Sequence, residues 1–78
     1  MSVEIRELEI NKIYPNHRLV FEEAVILSLC HDIKFQGLRE PIVVELIECW
    51  FQIVDGEKRW RACKKIGWNT IKAIILEA

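Results

Sequence analysis

The stretch that most constrains this chain runs from Phe51 to Gly67, Phe-Gln-Ile-Val-Asp-Gly-Glu-Lys-Arg-Trp-Arg-Ala-Cys-Lys-Lys-Ile-Gly. A short apolar run stops at Asp55-Gly56. A pattern of helical period, rich in positive charge, starts at once and ends at Gly67. This order predicts a strand from Phe51 to Val54, a tight turn, and a helix from Glu57 to Ile66. A strand–turn–helix junction presents free backbone N–H groups and the positive end of the helix dipole to an anion. Lys58, Arg59 and Arg61 add three cations beside it. Gly56, having no Cβ, lets the backbone approach a ligand closely. The expected element is a phosphate cradle, with a nucleotide as its natural occupant.

Two features weigh on that expectation. Lys58, Arg61 and Lys65 recur at spacings of three and four and share one helix face, while Trp60, Cys63 and Ile66 share the face expected on the sheet. A solvated basic face opposite a core face is therefore the structural alternative. Glu57 is an acid at the helix start. It reads as an ordinary favourable charge there, or as a group that holds Mg²⁺ or orients a cation.

The rest of the chain reads as one small domain of 78 residues with an order β-α-β-β-α-β. Val3 to Ile10 alternates as a half-buried strand, and Asn11 to Arg18 reads as a loop punctuated by Pro15-Asn16. Glu22 and Glu23 open a helix whose apolar stripe is Val25, Ile26, Leu29, Cys30 and Ile33, and Gly37 closes it. Ile42 to Ile47 is nearly continuously apolar and is expected at the centre of the sheet. Glu48-Cys49-Trp50 would connect it to the returning strand, and Thr70 to Leu76 is a final strand rich in β-branched residues. Phe51 and Trp68 are expected at the core or its edge, and Trp50 at a dimer contact.

Net charge is −1, which argues against a broad duplex-DNA footprint, although five cations and no acid lie between Lys58 and Lys65. Cys30, Cys49 and Cys63 have no metal-ligand spacing with His17 or His31 and are read as small buried residues in a reducing compartment. No apolar run is long enough to span a membrane, and the N-terminal residues carry no apolar signal segment. The expected location is the cytoplasm, with no membrane partner.

Three boxes carry a resemblance. Ile10 to Asn16 (INKIYPN), Ile33 to Val44 (IKFQGLREPIVV) and Ile53 to Gly67 (IVDGEKRWRACKKIG) resemble the N-terminal domain of ParB partition proteins and the wider ParB/sulfiredoxin-like superfamily. The likeness implies an α+β fold with a mixed sheet flanked by two helices. It implies a pocket for CTP or ATP with Mg²⁺, in which Gly56, Glu57, Lys58, Arg59 and Arg61 hold the phosphates and Glu57 helps position the metal. Gly37, Glu40 and Pro41 of the preceding box and Arg18 of the loop also carry over. The residues by themselves add Arg39 to a second ligand-facing wall of Gly37, Arg39, Glu40 and Pro41, and place His17-Arg18 in a loop that would close over the ligand. Lys58 stands where the family has Arg, and Glu40 where Gln is common. Sulfiredoxin places a catalytic Cys in the turn where this chain has Glu57.

The implied role is a nucleotide-gated switch or partner-binding module, linked to DNA partition. An enzymatic alternative, a nucleoside triphosphatase, a phosphotransferase of the free-serine-kinase type or a nuclease, would draw its base from Glu40, Asp55 or Glu57. A second alternative is a nucleic-acid-binding module built on the helix 57–66. The DNA-reading and dimerisation domains that follow in ParB are not in the 78 residues, so the chain is read as a stand-alone module or a fragment, with DNA, a second copy or another protein as further partners.

Overall fold

The computed structural model describes residues 4–15 and 21–76. Strand β1 spans Glu4–Glu9, a single 3-10 turn spans Ile10–Lys12, and β2 is the two-residue strand Ile13–Tyr14. Helix α1 (Glu23–Gln36) leads to the hairpin β3 (Ile42–Ile47) and β4 (Trp50–Asp55), then to α2 (Glu57–Ile66) and β5 (Thr70–Leu76). The α+β expectation and the order β-α-β-β-α-β hold, with β2 added to the first β unit.

The five strands form one mixed sheet in the order β1-β5-β3-β4-β2. β1 is antiparallel to β5, β3 parallel to β5, β4 antiparallel to β3, and β2 parallel to β4. β3 is therefore central, as its apolar run required. Alternate residues of the strands, Leu8, Ile42, Val44, Ile53, Ile71, Ala73 and Ile75, are buried in one core with Ile26, Cys30 and Ile33 of α1 and Trp60, Ala62 and Cys63 of α2. The period of two in the strands and of 3.6 in the helices thus meet on one side of the sheet.

Several expectations need correction. Asn11 to Tyr14 is not loop: it holds the 3-10 turn and β2. The Trp60 indole donates to the Ile10 carbonyl at 3.3 Å, and the Ile10 N–H donates to the Asn69 carbonyl at 2.9 Å, which fixes that turn against α2 and the start of β5. Ile5 is 61% exposed, because its side of β1 faces away from the helices. Val25 is exposed at the margin of the α1 stripe. The β3–β4 connection is only Glu48-Cys49, with Glu48 at φ 56°, so Trp50 belongs to β4. Cys49 is consequently exposed in that turn, unlike the buried Cys30 and Cys63. Phe51 and Trp68 pack at the core edge as expected, and Trp50 meets Tyr14 edge-on, ring centroids 5.3 Å apart.

One irregularity positions the site. Val44 pairs with Ile53, but Val43 pairs with Asp55, so Val54 is an extra residue on β4. Such a bulge bends a strand and ends regular pairing. It re-aims the chain just before Gly56 and the start of α2.

Candidate functional site at the start of α2

Gly56 is the N-cap of α2 and sits at φ 94°, a conformation that costs a residue with a Cβ. A Cβ built there would lie 3.0 Å from Ile42 Cγ2 and 3.2 Å from Ile42 Cα. Two constraints therefore demand glycine: the left-handed turn and the close pass of the backbone over β3. No side chain caps this helix end. The first turn of α2 faces a cleft of about 480 Å³ lined by Phe21, Leu29, Ile53, Val54 and the continuous run Asp55 to Arg59. One part of the lining is apolar and the other carries the turn and its cations.

The cations of α2 do not converge on one point. Lys58 is exposed, with its Nζ 5.6 Å from the centre of the Phe21 ring. Arg59 donates to the Pro41 carbonyl at 3.2 Å and lies 3.4 Å from the Glu40 carboxylate. It thereby joins the main cleft to a second one of about 280 Å³, lined by residues including Gly37, Arg39 and Glu40. Arg61 points elsewhere: its Nε donates to Glu57 Oε2 at 2.9 Å and its guanidinium lies 5.6 Å from the Phe21 ring, on the side of an adjoining cleft shared with Lys64 and Lys65. Lys65 pairs with Glu23 at 2.6 Å, and that contact holds its ammonium charged above the ordinary lysine range. The alternative of a merely solvated basic face does not hold: Lys65 pairs with Glu23 in the first turn of α1, and Lys58 and Arg61 lie over Phe21 just before it.

Glu57 is the one buried charged residue among those described, 3% exposed. A carboxylate without water needs a charged or hydrogen-bonding partner, and Arg61 supplies one a helical turn away. Among the described residues, no group of three or more His, Cys, Asp or Glu converges as a metal cage. Mg²⁺ typically keeps waters and takes one or two carboxylates plus substrate phosphates. The donor set here suits a cation carried in by phosphates, with the exposed Asp55 carboxylate beside the cleft.

The structure therefore brings together Gly56, Glu57, Lys58 and Arg59 around one cleft, and reaches Gly37, Arg39, Glu40 and Pro41 through Arg59. Arg61 stands behind Glu57, outside that lining. His17 and Arg18 lie outside the described residues. Phe21, Leu29 and Val54 are not read from sequence as site residues; Leu29 is assigned to the α1 stripe and Val54 to the end of β4. Phe21 had a local signal, an apolar residue immediately before the N-cap of a helix, where staple contacts form; Val54 had none, because its placement follows from the bulge.

Cys63 is fully buried, and burial, reinforced by neighbouring Cys30, pushes its thiol up to about 11. A thiol held protonated is a poor nucleophile. With Glu57 in the turn, thiol chemistry at this junction has no group to carry it.

Comparison with known proteins identifies the family and the fold. The family described as the ParB N-terminal domain matches residues 1–78. The chain belongs to this family. A nucleoid occlusion protein of Geobacillus sp. strain WCH70 is 43% identical over 76 residues, covering 92% of this chain and 27% of the relative. The ParB-family domain thus spans about a quarter of the length of such relatives. Among solved structures, a C-terminally truncated chromosome-partitioning protein ParB from Caulobacter crescentus, complexed with CTP-gamma-S, superposes with a TM-score of 0.86 at 31% identity, over 96% of this chain and 45% of that one. Sulfiredoxin from Arabidopsis thaliana also reaches a TM-score of 0.86, at 26% identity over 96% of this chain and 86% of its own. No helix among the described residues is long and apolar enough to cross a membrane.

Proposed function

We propose that this ParB-family domain binds a nucleoside triphosphate, CTP or ATP, with Mg²⁺, and serves as a nucleotide-dependent switch or partner-binding module in the cytoplasm. The observation that carries the reading is the cleft at the start of α2. Its apolar lining (Phe21, Leu29, Ile53, Val54) suits a base and sugar, and its turn and cations (Asp55 to Arg59) suit a polyphosphate tail. The backbone N–H groups that follow Gly56 would receive the phosphates, and Lys58 and Arg59 neutralise them; the missing Cβ of Gly56 serves the packing on Ile42 and not the ligand. Mg²⁺ would screen the phosphate charge; Glu57, read from the sequence as the metal-positioning residue, is buried against Arg61, which leaves Asp55 as the exposed carboxylate beside the cleft. The likeness to a ParB solved with CTP-gamma-S supports CTP as the first ligand to try.

Calorimetric titration with CTP, ATP, GTP and UTP, each with Mg²⁺, tests this. Saturable binding selective for one triphosphate supports the reading and names the ligand. Absence of binding to all four removes it and brings forward a nucleic-acid-binding role for α2, read by steeply salt-dependent DNA binding. Turnover of the bound triphosphate, with or without an acceptor, would assign the enzymatic alternative and place Glu40, Asp55 or Glu57 as the base.

A further inference from the structure

Arg59 is held from two sides that differ in kind. Its Nη1 donates to the Pro41 carbonyl at 3.2 Å, a contact made by backbone that leads straight into the central strand β3. Its Nη2 lies 3.4 Å from Glu40 Oε2, and that carboxylate is on a side chain 75% exposed. The first partner is fixed by the fold. The second is a flexible, solvated anion, and an exposed ion pair of this kind is weak and exchangeable.

Arg59 also lines both clefts, whereas Glu40 lines only the smaller one. Arg59 thus stands at the divide, its guanidinium on Pro41 and Glu40 and the proposed phosphate cleft beside it. A planar guanidinium offers several donors in a fork, so it can keep the Pro41 carbonyl while exchanging one anion for another.

From this we infer that Glu40 is an internal competitor for the anion-binding edge of Arg59. An incoming phosphate displaces the Glu40 carboxylate, and Pro41 keeps the guanidinium in place during the exchange. The carboxylate lowers the affinity of every anion that must displace it by one common factor. A polyphosphate, which also meets Lys58 and the start of α2, keeps useful affinity after that loss; a monophosphate does not. Glu40 sets the affinity of the site, acting through Arg59. The inference rests on the reading of this cleft as a phosphate site, and it requires no base or sugar.

The test uses inorganic tripolyphosphate and inorganic phosphate without metal, beside CTP and ATP with Mg²⁺, on the chain carrying Glu40→Gln, Arg59→Ala, or both. Gln keeps the size of Glu40 and removes its charge at an exposed position, so the fold is expected to survive; thermal melting checks this. Glu40→Gln is expected to tighten tripolyphosphate binding by about two- to fivefold, the scale of an exposed ion pair. Inorganic phosphate is expected to tighten by the same factor, so the ratio of the two affinities stays unchanged, whereas charge repulsion alone would favour the more highly charged tripolyphosphate. In the Arg59→Ala background the same change should have no effect. Tightening of equal size in both backgrounds would show simple charge repulsion and overturn the inference. Weaker binding in Glu40→Gln would overturn it too, and would mark Glu40 as a ligand or metal contact. If tripolyphosphate binds as expected and no nucleotide does, the competitor role stands and the nucleotide reading falls. If tripolyphosphate does not bind any variant, the inference falls.

Discussion

Arg61 donates from Nε to Glu57 Oε2 across 2.9 Å, one turn along α2, and the accepting carboxylate is buried while the guanidinium is 38% exposed. The pair is therefore asymmetric. Loss of Arg61 takes from a buried anion the cation one helical turn away, whereas loss of the Glu57 charge leaves a cation that water can still reach. Arg61→Leu is expected to destabilise the domain by about 1–3 kcal/mol, and Glu57→Gln by less. In the double variant, the two losses should be less than additive, because the stranded charge is gone. Chemical denaturation of the four proteins measures this. Equal, additive losses would refute a coupled pair.

Gly56→Ala is expected to cost about 2 kcal/mol or more, because the new Cβ must adopt φ near 94° and displace Ile42 backbone on the central strand. Gly67→Ala shares the positive φ but meets no atom within 4 Å, so its loss should be about 1 kcal/mol. A thermal melt of each separates the backbone strain common to both from the steric contact present only at Gly56. Indistinguishable melts would show that β3 yields to the added methyl.

Much of this architecture is written in local signals, and the parts that are not depend on pairing between distant segments. The bounds of α2 follow from Asp55-Gly56 before it and Gly67 after it: the Gly67 and Trp68 N–H groups close the helix on the carbonyls of Cys63 and Lys64. The bounds of β3 and β5 follow from Pro41 and from β-branched runs. β2 has no such signal. Its two residues are strand only because Ile13 and Tyr14 lie beside Phe51 and Gln52 of β4. The site divides in the same way. Gly56, Lys58 and Arg59 are legible because a turn and a helix start are local events. The burial of Glu57 and the turning of Arg61 toward Phe21 require α1 to be packed on α2. The meeting of Arg59 with Glu40 requires β3 and β4 to be paired.

The cysteines offer a pH-dependent reading of the core. Burial, with Cys30 nearby, raises the Cys63 thiol from an ordinary 9.0 to about 11. The folded state therefore keeps a proton that the unfolded chain releases. Its contribution is fully present below pH 9 and is lost as pH rises toward 11. Melting temperature should fall across that window, and Cys63→Ala should flatten the fall while lowering the starting value through lost packing. In the folded protein at pH 8, brief alkylation should label Cys49 alone, the exposed thiol. Labelling of Cys63 at a matching rate would show that the α1–α2 core opens readily.

Arg59 decides whether the cleft at the start of α2 is a phosphate site. It is the only α2 cation lining both clefts, and its guanidinium is already aimed by the Pro41 carbonyl. Arg59→Ala is expected to weaken triphosphate binding by roughly tenfold to a hundredfold, the loss of charge-assisted hydrogen bonds to phosphate. Arg59→Lys keeps the charge and loses the fork, so it should fall between Ala and the parent. Lys65→Ala should leave affinity unchanged, because Lys65 is engaged by Glu23 and lines neither cleft. Lys58 is exposed and has no fork, so Lys58→Ala should cost less than Arg59→Ala. Titration of this series with the preferred triphosphate, each variant checked by thermal melting, ranks the cations. Equal losses at Arg59 and Lys65 would reduce the site to diffuse charge. Unchanged affinity in Arg59→Ala would remove the phosphate from this cleft.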